Sequence, residues 1–228
     1  MSPVSVERVL RVLQGAENDL FIVFSGRGMW RTTLDVLRAN PAIPRREVVA
    51  GWMTRMYVHY ALMGIRRQLS NNPEDVSLRR MLQLVVDNPH LFTRGAFVAR
   101  HGYTDPYDIK FANDRFEQWG PNGSAHLVPS VVQADIDSLL VMAERVENFA
   151  TKTVAHLDRE YAYPEGIVDI DKITWNDIDA VMDEMESVLQ KYYPLVAGTG
   201  INSATPVPVL GWERAYTVPW KPEGQRRT

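Results

Sequence analysis

The residues best suited to chemistry are a histidine and a lysine one helical turn apart. His156 is one of five histidines in the chain; Lys152 precedes it by four residues and Asp158 follows it by two. A histidine transfers protons near neutral pH, and a lysine supplies a point charge beside an anion. Whether the two act together depends on the side of their helix from which they project.

A helix predicted over about residues 130–160 carries this pair. At about 100° per residue, its core stripe lies within about 40° of one direction and comprises Val132, Ile136, Leu139, Ala143, Val146, Ala150, Val154 and Leu157. A second face, roughly 100–180° from that stripe, carries Arg145, Phe149, Lys152, His156 and Arg159. This face is either exposed to solvent or covered by a second subunit. Phe149 favours the subunit, because an aromatic on a polar face is typical of an interface, and a two-fold axis would set two basic clusters side by side.

The other elements are also predicted to be helical, because apolar residues three and four apart dominate and strand-like alternation is scarce. We expect a short helix over residues 4–14 that ends at Gly15, and a partial helix over residues 18–39 that Gly26 and Gly28 weaken. A helix over residues 45–69 has an apparent core face of Val49, Trp52, Met56, Tyr60 and Met63. Another follows a turn at residues 70–75 and stops before Asn88.

The later part of the chain combines a poorly patterned region with one strong helix. Shorter helices and a long loop are expected over residues 90–129. The last helix begins at Thr174, whose hydroxyl pairs with Asp177 in a capping box. Its core stripe is Trp175, Ile178, Met182, Met185, Leu189 and Tyr192, and its acidic residues (Asp179, Asp183, Glu184 and Glu186) are interpreted as a solvated face.

The amino-acid composition excludes several classes of protein. The 228 residues carry a formal net charge of -3, so an RNA partner would have to meet a local basic patch. The absence of cysteine excludes disulfides and thiolate metal sites. No metal site or cofactor is predicted. The amphipathic N-terminus and the lack of a long apolar run predict a soluble cytoplasmic protein with no membrane segment.

Several segments, taken in order, resemble the HEPN superfamily, and within it the AbiU2-like group of phage-defence and toxin-like proteins. The segment from Arg66 to Leu82 resembles that group's arginine-leucine helix end and Ser-Leu helix start. Lys152 to Asp158 resembles its lysine-x-x-alanine-histidine-x-aspartate segment. The helix ending in paired tyrosines and the aromatic stretch from Trp212 to Trp220 complete the resemblance, which leaves residues 90–129 unmatched.

The resemblance implies an all-α, HEPN-like antiparallel helical bundle over residues 1–200 that forms a homodimer. The proline-rich aromatic tail, residues 201–228, is expected to pack on the bundle or on a partner subunit, with Trp212 and Trp220 joining Phe149 at the dimer interface. Active HEPN proteins are metal-independent endoribonucleases whose histidine follows an arginine by four to six intervening residues. In this chain the three positions that precede His156 by that spacing hold Phe149, Ala150 and Thr151, and none of them is an arginine.

Two functions are favoured, and an unrelated helical protein remains open beside them. The first is a dimeric partner in a defence or toxin–antitoxin type system that binds RNA or a cognate antitoxin or defence protein, since the catalytic arginine is missing. The alternative is an endoribonuclease in which His156 acts with Lys152, and with Arg145 reaching from the second subunit. Arg159, Arg66 and Arg67 would then bind RNA phosphates, although Arg66 and Arg67 are also explained as charged helix ends.

Overall fold

The computed structural model describes residues 4–39, 48–155 and 173–200. These residues form seven α-helices: α1 Val6–Ala39, α2 Val48–Gln68, α3 Leu78–Asp87, α4 Arg94–Arg100, α5 Pro106–Phe116, α6 Pro129–Ala150 and α7 Trp175–Ala197. A 3₁₀ turn covers Pro89–Leu91 and a π-helical turn covers Thr151–Ala155. Since none of the described residues belongs to a strand, the predicted all-α class is confirmed. No helix in these ranges is both long and apolar enough to cross a bilayer.

The first helix packs antiparallel to α2 and to α7, as the side-chain contacts between them show. Asp19, Ile22 and Trp30 of α1 contact Arg67, Tyr60 and Tyr57 of α2, so the α2 residue numbers fall as the α1 numbers rise. Arg27 and Arg31 of α1 contact Asp183 and Asp179 of α7 in the same way. The predicted helical bundle is therefore present in the described part of the chain.

The first helix is continuous, and the predicted interruption between residues 14 and 18 is wrong. Gly15 and Gly26 lie inside α1 where other elements approach closely. A Cβ on Gly26 would clash with the ring of Tyr60, and one on Gly15 would clash with Val76. A glycine in a helix costs about 1 kcal/mol relative to alanine. Burial of a core stripe that includes Leu13, Leu20 and Phe24 outweighs that cost.

The predicted core face of α2 is also wrong. Trp52, Met56 and Tyr60 are 55%, 52% and 37% exposed, and Met63 is partly buried, while the side chain of Val49 lies outside the described part. The face that packs on the core holds Tyr57, Ala61, Leu62, Ile65 and Leu69. Small residues let α1 approach this second face, since Gly64 meets Val23 directly.

The predicted helices α3, α6 and α7 are confirmed, although α6 ends at Ala150, earlier than predicted. The six stripe residues of α6 from Val132 to Ala150 are all buried. The capping box of Thr174 and Asp177 is formed, and α7 ends at Gly198, whose φ of 74° is left-handed. The α7 stripe is buried except for Trp175, which is 39% exposed. Between residues 90 and 129 lie two short helices and a long loop, as expected.

Candidate functional site

The predicted second face of α6 is only partly open to solvent. The Arg145 side chain is 50% exposed and its Nη1 lies 3.5 Å from Oδ1 of Asp177, the capping residue of α7. Phe149 is partly buried and packs against the core of its own chain. Lys152 is exposed and lies in the π-helical turn. Phe149, a predicted interface residue, therefore packs against its own bundle. Arg145, a predicted catalytic cation, lies beside a carboxylate.

The π-helical turn Thr151–Ala155 changes the geometry that the sequence implied. The α-helix ends at Ala150, where the pattern predicted an unbroken helix to about residue 160. A π turn closes its hydrogen bonds over five residues, so it holds more residues per turn than an α-helix. Thr153 Oγ1 also donates to the carbonyl of Phe149 at 2.6 Å. Angles extrapolated at 100° per residue therefore do not apply beyond Ala150.

Several predicted site residues fall outside the described ranges. His156 and Arg159 belong to residues 156–172, and Trp212 and Trp220 belong to residues 201–228. Their predicted roles in catalysis, phosphate binding and dimerisation stay predictions.

The arginines at the end of α2 do not join Lys152 and Arg145. Arg67 donates to both carboxylate oxygens of Asp19, at 2.7 and 3.3 Å, and Arg66 is partly buried. Asp19 lies twelve residues along α1 from Arg31, which bonds to the first turns of α7. That spacing is about 18 Å along the helix axis. A single phosphate therefore does not bridge Arg67 and the α7 end of the bundle.

What the structure does bring together is an aromatic cluster at the N-terminal end of α7. Trp30, Tyr57 and Trp175, which we call the aromatic cluster, have ring centroids 5.3–5.7 Å apart and interplanar angles of 15–35°. Burial, aided by the charge of Asp179, raises the pKa of Tyr57 to about 12. Trp30 Nε1 is buried and has no hydrogen-bond partner among the described residues. The exposed part of Trp175 is the outward-facing edge of this cluster.

Two arginines of α1 bind the acidic side of α7 beside the aromatic cluster. Arg27 is 5% exposed and its Nη1 lies 2.5 Å from Asp183, with Glu186 at 3.6 Å. Arg31 donates to Asp179 at 2.9 Å, and this hydrogen bond raises the pKa of Arg31. These pairs correct the interpretation of the acidic residues as a purely solvated face. Three of the four carboxylates fix α1 to α7.

A second polar centre lies at the junction of α2 and α3. Gln68 is fully buried; its amide donates to Asp19 at 2.7 Å and its carbonyl accepts from Leu78 N–H at 2.8 Å. Sequence reasoning missed both Gln68 and Arg27, because polar residues at those positions look like ordinary surface residues of a helix. The only signal of burial in the sequence was that Arg27 and Gln68 have the same helical spacing as the buried apolar residues around them.

Ion pairs surround the aromatic cluster at the α7 end of the described bundle. At the α7 end Arg27, Arg31 and Arg145 each face a carboxylate. No group of three or more histidine and acidic side chains that could hold a metal occurs among the described residues. The chemistry offered there is that of an aromatic edge surrounded by ion pairs.

No protein-family model, no curated protein and no solved structure matches this chain. The HEPN-like features therefore rest on the residues of this sequence, and the helical bundle rests on the structure.

Proposed function

We propose that the chain is a HEPN-like protein of a defence or toxin–antitoxin type system, and that it acts by binding a partner protein. One observation carries the proposal: the arginines at the α7 end are paired with carboxylates. Arg145 lies beside Asp177, and Arg31 beside Asp179. Away from that end, Arg67, a predicted phosphate ligand, is paired with Asp19.

Charge pairing matters because phosphate contacts supply most of the affinity for RNA. A phosphate would have to displace a carboxylate from each of these arginines, and the displaced carboxylate would repel it. The whole chain is also net negative, at -3. RNA is therefore the less favoured of the two predicted partners.

The aromatic cluster supplies the kind of contact that a protein partner uses. Trp175 is 39% exposed and is held in place by Trp30 and Tyr57 behind it. Tryptophans anchored in this way dominate many binding interfaces, and the ion pairs around them set orientation and specificity. The acidic rim of α7 favours a partner surface that carries basic residues around an apolar pocket.

The missing arginine at positions 149–151 is consistent with this function. The superfamily that the sequence resembles includes non-enzymatic partners and scaffolds as well as nucleases. Dimerisation of this chain stays a prediction of the resemblance.

A second candidate, a metal-independent endoribonuclease, is favoured by the π-helical turn. π turns inside helices frequently occur at functional sites, and this one ends at the residue before His156. Lys152 is exposed within it. In such an enzyme His156 would assist attack of the ribose 2'-hydroxyl on the adjacent phosphate, and Lys152 would stabilise the growing charge.

The test is affinity purification of the full-length chain from its host after nuclease treatment, with wild type, Trp175→Ala and Tyr107→Ala compared by quantitative mass spectrometry. Tyr107 is a matched control because it is an exposed aromatic residue on another helix. A protein that the wild type and Tyr107→Ala retain, that Trp175→Ala loses, and that rebinds in purified form supports the proposal. The absence of such a protein, together with salt-sensitive RNA binding by the purified chain, would contradict it.

A further inference from the structure

An uncharged apolar face runs along the outside of α1 and α2. Its residues are Phe21, Ile22 and Met29 of α1 and Trp52, Met56 and Tyr60 of α2, which we call the α1–α2 face. All six are between 37% and 55% exposed. The hydroxyl of Tyr60 donates to the carbonyl of Ile22 at 2.5 Å, so the two stripes adjoin. Large apolar side chains of neighbouring helices therefore form one continuous surface.

The area of this face is unusual for a surface that stays in water. Six side chains of about 200 Å² each, roughly half exposed, leave on the order of 600 Å² of apolar surface open. That is at the upper end of the largest patch on an ordinary monomer, about 300–600 Å². It is also about three quarters of the ~800 Å² that each partner buries in a standard protein interface.

The charge pattern favours a second copy of the chain as the occupant. The outward residues of α1 on this face are all uncharged: Asn18, Phe21, Ile22, Ser25, Gly28, Met29 and Thr32. The face ends at the ion pair of Arg67 with Asp19, which is internally neutralised. Two α1 helices therefore meet without like charges in contact, as a self-complementary two-fold interface requires. On the α2 side the exposed Arg55 and His59 adjoin Trp52 and Met56, so we place the centre of the contact on α1.

The order of residues along α1 also suits a two-fold axis. Ile22 and Met29 lie two turns apart on the same side of the helix. Between them on that side lies the small residue Ser25, which leaves room for a second helix at the midpoint. Gly28 is turned about 100° from Met29 and lies at the edge of the crossing. A Cβ on Gly28 would meet no described atom within 4 Å, and a mid-helix glycine lowers helix stability by about 1 kcal/mol, so close approach of a second helix would give this glycine a reason.

We propose that a second copy of this chain covers the α1–α2 face, and that the two α1 helices cross antiparallel about an axis midway between Ile22 and Met29. Ile22 of each copy then contacts Met29 of the other, and Ser25 lies at the crossing. Trp52 and Met56 flank the crossing and extend the contact to α2. This surface is separate from the α6 face that the resemblance assigns to dimerisation. It is also independent of the partner-binding role of Trp175.

The test is sedimentation velocity of the full-length chain from about 1 to 100 µM, with single and paired charge substitutions. Ile22→Glu and Met29→Lys each place one charge in the apolar contact, and each is expected to raise the dimer dissociation constant by at least about tenfold. The double variant Ile22→Glu/Met29→Lys puts opposite charges across the axis and is expected to recover much of the association. Phe111→Glu is the control, because Phe111 is 55% exposed on α5, which belongs to neither the α1–α2 face nor the outward face of α6.

Unchanged melting temperatures would show that these exposed positions do not affect the fold. A wild type that stays monomeric at 100 µM overturns the proposal, and co-flotation of that monomer with phosphatidylcholine–phosphatidylglycerol vesicles would assign the face to lipid. A dimer that survives both single substitutions also overturns it, since the chain would then associate through another surface. If both single variants lose the dimer and the double variant does not regain it, the proposed antiparallel crossing is wrong.

Discussion

Replacing Arg27 with alanine is expected to lower the free energy of unfolding by about 2–3 kcal/mol. The side chain is 6% exposed and bonds to Asp183 at 2.5 Å, with Glu186 at 3.6 Å. Removing one partner of a fully buried ion pair costs about 3–5 kcal/mol. Asp183 is 66% exposed and regains water, which reduces that cost, whereas Glu186 at 17% stays largely desolvated. Loss of the cation–π contact between the Arg27 guanidinium and the ring of Phe24 adds to the cost.

The assay is urea unfolding followed by far-ultraviolet circular dichroism, and the melting temperature should fall by roughly 5–10 °C. Arg31→Ala is the matched control, with an expected loss below about 1 kcal/mol because this side chain is 57% exposed in its ion pair between α1 and α7. Arg27→Met keeps the aliphatic packing and should fall between the two. Equal stabilities of Arg27→Ala and Arg31→Ala would refute the argument that burial of the Arg27 guanidinium holds α1 against α7 more strongly than an exposed ion pair does.

Four further substitutions test the packing of the bundle. Gly64→Ala should destabilise the chain by about 1–2 kcal/mol in the same unfolding assay, because its Cβ would overlap Val23. Gly95→Ala, where a Cβ meets nothing within 4 Å, should be neutral or slightly stabilising, and a loss there equal to that at Gly64 would contradict this reading. The pKa of Tyr57 is raised to about 12 in the folded chain, so its contribution to stability is present below pH 10 and is lost as pH rises from 10 to 12. Between pH 9.5 and 11.5 the wild type should therefore lose about 1.5–2 kcal/mol more stability than Tyr57→Phe, and parallel curves would argue against burial of Tyr57. Gln68→Leu should cost about 2–4 kcal/mol, since a buried N–H at the start of α3 loses its acceptor, and a loss within error of zero would show that water replaces the amide.

The local signals of the sequence predicted much of the fold. The capping box at Thr174 and the α6 stripe ending at Ala150 are readable because cap chemistry and 3.6-residue spacing are properties of one segment. The weak pattern of residues 90–129 likewise indicated short helices joined by loops. In these places the local preference and the tertiary packing agree.

The errors arose where a second element decides the outcome. Gly26 predicts a break in a helix, but Tyr60 of α2 fills the space beside it. The stripe of Trp52, Met56 and Tyr60 has helical spacing, but so does the stripe of Tyr57, Ala61 and Ile65, and spacing alone does not choose between them. The stripe of Tyr57, Ala61 and Ile65 is the buried one, because its small residues allow α1 to approach closely.

The candidate site was less predictable than the fold. The sequence placed Arg145 and Phe149 on an outward face, and it contained no signal for the ion pair with Asp177 or for the π-helical turn after Ala150. The aromatic cluster joins residues from three helices that are far apart in sequence. Such contacts depend on the packing of the bundle, which the pattern within each helix does not specify.

The most direct test of the proposed function is an assay of a mixed RNA pool without divalent metal, using purified wild type, His156→Ala and Lys152→Ala at matched concentrations. Circular dichroism and light scattering would establish that all three are folded and in the same oligomeric state. We predict that none of them cleaves RNA and that wild type binds it no more tightly than the variants at physiological salt. Cleavage by the wild type that His156→Ala abolishes, with the fold intact, would contradict the binding function and establish the endoribonuclease.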